Sequence, residues 1–239
     1  MFFFRLNKIT IFDNREGRRF LLFGRSRRAE VKIMSFVTTD HTQLPNMDEL
    51  ANSVDPAEQK RLLEGAVAAV VNNRVLTTVQ NVMDGQKLTF GDAGYVLYKS
   101  DKVPENFDWL LLVMESDQQG RENAALVQDV LKNPEFDKFS KELISALIKA
   151  PAPGFTAAVA IGKFVADVLL EQGKKNKDDQ IGLLYMSLNR WEHYPHLERK
   201  RDDVPDMTQN LMVDYTIFGV ESGTRKSSKT KTSRPRSGR

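Results

Sequence analysis

The sequence predicts an α+β protein. A single domain over residues 1–222 has an antiparallel β-sandwich core, an inserted helix at 56–73 and an inserted helical hairpin within 121–172. Three observations predict this. Segments at both ends of the chain and in its middle alternate apolar and polar side chains, the period-two signature of strands. One stretch, 56–73, carries apolar residues at helical spacing instead. A second helical block is punctuated by Pro134 and by the run PAPG. With 239 residues the chain can bury a core without staples.

The first segment, FFFRLNKITIFDN, places Phe2, Phe4, Leu6, Lys8 and Thr10 on one side and ends in the turn pair Asp13-Asn14. RRFLLFG and RAEVKIMSFVTT follow as further strands. In the latter Val31, Ile33, Ser35 and Val37 face one way, and Lys32, Met34 and Phe36 the other. Six arginines between 15 and 28 read as the exposed face and edge protection of a sheet. Residues 44–73 read as helical. Asp55 is placed to cap, Pro56 takes the first helical position, and Leu62, Leu63, Ala66, Val67 and Val70 form the inward face.

Strands return over 74–117. RVLTTVQNV alternates, MDGQ holds the Asp-Gly pair of a hairpin, and GDAG is a turn or bulge inside KLTFGDAGYVLYKS. The run LLLVM in DWLLLVMESD is apolar on both faces and belongs in the centre of a sheet. Two helices joined at PAPG decorate the sheet. DQIGLLYMSLN is a strand, residues 191–206 are a charged loop, and NLMVDYTIFGV closes the fold as a strand.

There is no cysteine, which excludes disulfides, thiolate nucleophiles and cysteine zinc sites and fits a cytoplasmic setting. The opening MFFFRLNKITIF reads as a strand rather than a signal peptide, and no window reaches roughly 18 uncharged apolar residues, so no spanning helix is expected. The net charge of +3 is unevenly spread. Residues 223–239 hold seven Lys/Arg and no acid, leaving 28 basic against 32 acidic residues elsewhere, a net −4. Such a tail lacks the apolar surface that would offset its ordering entropy and is expected to be disordered. It suits an anionic membrane surface or nucleic acid, or serves only solubility.

No phosphate-cradling loop and no nucleophile elbow is present. Acidic residues gather at predicted strand ends. Asp92, Asp117, Asp178, Asp179, Asp202 and Asp203 are the candidate ligands if loops at one end pool oxygens for calcium. The plain alternative is that aspartate serves turns by bonding the local backbone. In WEHYPHLERKRDDVPD, the pair His193 and His196 is the candidate centre of a metal-dependent hydrolase, although Pro195 between them disfavours a helix. Trp191, His193, Tyr194 and Arg199 are the candidate partner-binding residues, because aromatic and arginine anchors are enriched in interfaces.

Several blocks look like an uncharacterised family of bacterial proteins: LTFGDAGYVLY, FDWLLLVMESD, DDQIGLLYMSLNR and the segment from EHYPHLERKRDDVPD to NLMVDYTIFG. A weaker resemblance, in strand order, acidic loops and the closing strand, is to C2-like β-sandwiches. It implies membrane or protein binding, with or without calcium. The expectation is therefore a non-enzymatic binding or assembly protein acting on a protein partner. The first alternative is a protein peripheral to a membrane, using the tail and the apolar hairpin 137–172 with Phe155 and Phe164 as anchors. The metal-dependent hydrolase is the second, and nucleic-acid binding enters only through the tail.

Overall fold

A computed structural model describes residues 1–15, 28–115, 123–176, 179–194 and 197–221. Among them are two antiparallel sheets and six helices. The elements are β1 (Phe2–Ile11), β2 (Ala29–Thr39), α1 (Met47–Asn52), α2 (Pro56–Asn72), β3 (Val75–Val82), β4 (Lys87–Thr89), β5 (Tyr95–Ser100), β6 (Asn106–Glu115), α3 (Asn123–Leu131), α4 (Phe136–Leu147), α5 (Pro153–Asn176), β7 (Gln180–Asn189), α6 (Arg190–His193), β8 (Glu198–Pro205) and β9 (Leu211–Gly219). Sheet A runs β4-β1-β9-β8 with β5 also on β1, and sheet B runs β3-β2-β6-β7.

The alternation along each strand dictates the layers. In β6, Phe107, Trp109, Leu111 and Val113 join the core shared with sheet A, while Leu110, Leu112 and Met114 face the helices. Sheet B therefore lies between sheet A and the helical layer, and the LLLVM run is central, as its two apolar faces require. The inter-sheet core is aromatic at its centre: Phe4 meets Trp109 at 4.7 Å and Tyr215 at 5.7 Å between ring centroids. Trp109 Nε1 donates to Ser35 Oγ at 2.8 Å, which satisfies its one polar atom.

Several expectations are corrected. In β1 the alternation is not continuous. Phe2, Phe4 and Leu6 point inward, a register shift follows between Leu6 and Lys8, and Ile9 and Ile11 take the inward places given above to Lys8 and Thr10. The helical stretch 44–73 is two helices, because Asp55 caps a new one through Ala57 N and Pro56 occupies its first turn. The Asp84-Gly85 turn does not make a hairpin: β3 pairs with β2 and β4 with β1, so the turn carries the chain from sheet B to sheet A. The GDAG turn lies between β4 and β5, which pair with successive stretches of β1. Gly91 and Gly94 adopt φ of 72° and 68°, and a Cβ on Gly94 would crowd Asn7 and Leu6. The helices are more than a decoration, since α2, α3, α4 and α5 bury a second core on sheet B that includes Leu63, Val67, Leu126, Leu147 and Ile161. The loop within 191–206 is largely the edge strand β8, whose charged side chains protect an edge that lacks an apolar pattern. The predicted strand RRFLLFG and the tail 223–239 lie outside the described residues.

One carboxylate stitches the layers at one end. Asp206 is buried and accepts five hydrogen bonds: from Leu183 N (2.8 Å), Thr208 N (3.0 Å), Thr208 Oγ1 (2.6 Å), Asn210 N (2.9 Å) and Leu211 N (2.9 Å). Leu183 belongs to sheet B and Leu211 to sheet A. Asn210 extends the stitch by donating to Asp13 O and Ile181 O, both at 2.8 Å. Burial alone would raise the Asp206 pKa, but the Thr208 hydroxyl and the amides of Leu183, Leu211 and Thr208 outweigh it and hold it below the usual carboxylate value.

Two predictions follow from this packing. A Cβ at Gly182 would overlap Leu211 and approach Asp206 Oδ2, so Gly182→Ala should cost about 1–3 kcal/mol of stability, seen as a lower urea midpoint. Because its folded pKa is lowered, Asp206 stabilises the fold above the ordinary carboxylate pKa of about 4, and that contribution is lost as pH falls through the lowered value. Urea unfolding of Asp206→Asn against wild type should show a deficit near pH 7 that shrinks by about pH 2.

Candidate functional site

The candidate calcium ligands are dispersed. Asp92 sits in the turn between β4 and β5, on the far side of β1 and β9 from Asp202 and Asp203 in β8. Three strand spacings of about 4.8 Å separate the two places. Asp179 precedes β7 in the other sheet, where its carbonyl accepts Glu115 N at 2.8 Å. Lys8 Nζ sits between two carboxylates, 3.2 Å from Asp203 Oδ1 and 2.8 Å from Asp214 Oδ2. Lys200 lies 3.4 Å from Asp202. Among the described residues no three His, Asp or Glu side chains are grouped to hold a metal. Asp117 and Asp178 lie outside those residues, as does His196. The Nδ1 of His193 accepts Asn189 N at 3.1 Å, so in the neutral ring Nε2 carries the proton, and neither nitrogen offers a free lone pair.

The partner-binding candidates are brought together at the end of the sandwich opposite Asp206. Asn189 caps the single turn α6: its Oδ1 accepts Glu192 N at 2.9 Å and its Nδ2 donates to Glu192 Oε2 at 3.0 Å. Arg190 fastens the turn to the sheets. Its N–H donates to Glu105 O at 2.9 Å and its guanidinium to Glu105 Oε1 at 2.7 Å and to the Glu221 carboxylate. Burial opposes the charge of Arg190, and Glu105 and Glu221 outweigh it, so its pKa is raised. On this turn Trp191 is 76% exposed, with the Arg190 guanidinium 5.5 Å from its ring centroid. Beside it a groove of about 410 Å³ is lined by Val103, Arg190, Leu197, Val220 and Glu221, and Leu197 is itself exposed.

Tyr194 is not a surface residue. It is 3% exposed, its hydroxyl donates to Pro104 O at 2.8 Å and its ring lies 5.4 Å from Phe2. Burial, then the charges of Asp40 and Glu105, push its pKa up. Arg199 is also turned inward, where it donates to His193 O. Of the four candidates, Trp191 alone is exposed; Tyr194 is buried, His193 and Arg199 are half-buried, and these three build its mount.

A cluster that the sequence reading missed lies between α5 and sheet B. Asp108 is buried and accepts Tyr185 Oη at 2.8 Å, and Lys163 Nζ lies 4.0 Å from the Tyr185 ring centroid. Burial raises the Asp108 pKa against the opposing pull of Tyr185, Ser187 and Lys163. The cavity they line with Thr38 is about 10 Å³, room for one water and none for a substrate. Its signal was present: Asp108 shares the helix-facing parity of Leu110 and Leu112, so its carboxylate had to be buried.

α5 is the element that bears on the expectation of no spanning helix. Its stretch Pro153–Lys174 is long and apolar enough to cross a membrane by length and composition. Ala157, Ala158, Ile161 and Val165 on it are buried in the core beneath the helices, and Phe164 stacks on Phe139 at 4.3 Å.

A scan of protein-family models finds no match to the chain, and a search of curated proteins finds none.

The mount of Trp191 is testable. Asn189→Ala removes the cap of α6 and should cost about 1 kcal/mol. For a chain of this length the thermal midpoint would drop by about 2–4 °C. Acrylamide quenching and anisotropy should report a more mobile Trp191, while buried Trp109 is unaffected.

Proposed function

We propose that the protein is a non-enzymatic binding or assembly protein whose partner surface is the Trp191 end of the sandwich. One observation carries this: a tryptophan 76% exposed on a turn that is capped, ion-paired and fastened to both sheets. Leaving that ring in water has no folding benefit, and holding it rigid lowers the entropy lost when a partner covers it. The groove beside it, with Leu197 and Val220 on its wall and Arg190 and Glu221 at its rim, matches the apolar centre and charged border of a protein interface. A C2-like sandwich with calcium in its acidic turns is the finer form of this reading. Lys8 already pairs with Asp203 and Asp214, and the reading at Trp191 stands whether or not a metal binds.

The alternative is a protein peripheral to an anionic membrane. The apolar length of α5 and the seven basic residues of 223–239 support it. It requires α5 to leave sheet B, whereas the Trp191 surface is open as it stands.

Trp191→Ala should leave the unfolding midpoint within about 0.5 kcal/mol of wild type, since the ring is exposed. The same change should reduce quantitative affinity capture of a partner from source-cell extract by about tenfold or more. Met207→Ala, at a similarly exposed position at the Asp206 end, is the control and should not change capture. Equal capture by the Trp191 and Met207 variants would overturn the reading.

A further inference from the structure

We propose that the outer face of sheet A binds single-stranded nucleic acid, with bases stacking on Phe3 and Phe218 and phosphates held by Arg5, Lys99 and Lys200. One face of this sheet is buried in the inter-sheet core, and among the described residues no helix covers the other. On that open face Phe3 and Phe218 are cross-strand partners, half-buried, with ring centroids 6.4 Å apart. Register sets the cations around them. Lys99 pairs with Phe3 from β5, and Lys200 lies across Thr216 from Arg5. The Arg5 guanidinium carbon is 5.4 Å and the Lys99 Nζ 5.7 Å from the Phe3 centroid. A cross-strand aromatic pair alone would only stabilise the sheet.

The surrounding charge points to a polyanion. Arg5 Nε is buried with no hydrogen-bond partner among the described residues. Lys99 and Lys200 are exposed, and among the described residues the ion pair of Lys200 is with exposed Asp202 at 3.4 Å. Glu198, opposite Phe218, is the one acid in these two rows. The chain then leaves β9 directly after Phe218 and Gly219, and the seven Lys/Arg of 223–239 begin at Arg225. Aromatic rings that accept any base, set among cations that follow a backbone, are the physical requirements for binding a single strand without sequence readout.

The test uses the full chain and a fluorescein-labelled oligothymidylate of roughly 12 nucleotides, read by anisotropy at about 50 and 200 mM salt. Binding is expected at the lower salt and weaker at the higher. Phe3→Ala/Phe218→Ala should weaken it by about tenfold or more. Lys99→Glu, at an exposed position that leaves the fold intact, should weaken it and flatten the salt dependence. It decides the matter should the double variant fail to fold. A full-length variant with the seven tail cations changed to glutamine should bind less tightly yet still respond to Lys99→Glu. The proposal is overturned by absence of binding at the lower salt, or by binding that vanishes with the tail cations and ignores Lys99→Glu. It is also overturned if anionic phosphatidylserine vesicles bind with the same residue dependence and displace the oligonucleotide.

Discussion

Everything in this fold depends on sheet B being buried on both faces. β2 and β6 are buried at nearly every position, and their apolar side chains divide into one set for sheet A and another for the helices. Polar groups caught in that layer must find partners inside it. Trp109 reaches Ser35, Tyr185 reaches Asp108, and Asp206 gathers the amides where β7 meets the β8–β9 connection. An unmet buried donor costs more than a made hydrogen bond contributes, so these contacts fix register as well as stability. Sheet A is free of the second demand, and its outer face sets polar and charged side chains around the aromatic pair Phe3 and Phe218.

The two ends of the sandwich are built differently. At one end Asp206 and Asn210 close the gap between sheets with charge-assisted and amide hydrogen bonds. At the other, aromatic packing closes it from inside through Phe2, Phe107 and Tyr194, while ion pairs from Arg190 hold the rim. The second end carries Trp191, the most exposed aromatic side chain among the described residues, outward on a fixed turn. The binding surface proposed there is thus a by-product of how that end is sealed: Tyr194 is drawn in, and Trp191, three residues earlier, is turned out.

Much of this was legible in the sequence, wherever local pattern and tertiary demand agree. LLLVM had to be central because both its faces are apolar. Asp55-Pro56 had to start a helix because one caps and the other needs no donor. Where the two disagree, sequence reading fails. Asp84-Gly85 specifies a bend but not which sheet receives the next strand. β8 has no apolar alternation because an edge strand is protected by charge, so it reads as a loop. Asp206 reads as one more turn aspartate, because its partners spread from Leu183 to Leu211 and only folding collects them. Trp191 and Tyr194 are both aromatic residues of one charged stretch, and nothing local says which is buried.

The central claim is that Trp191 is held in advance on a turn as firm as the frame beneath it. Amide hydrogen exchange on the free protein tests it most directly. The amides of Leu110–Met114 in β6 should open only with global unfolding. The amides of Arg190 and Glu192, donated to Glu105 O and Asn189 Oδ1, should exchange far more slowly than in an unstructured chain. Exchange at the unstructured rate across 189–194, with β6 still protected, would show that the turn is not preformed and would contradict the account.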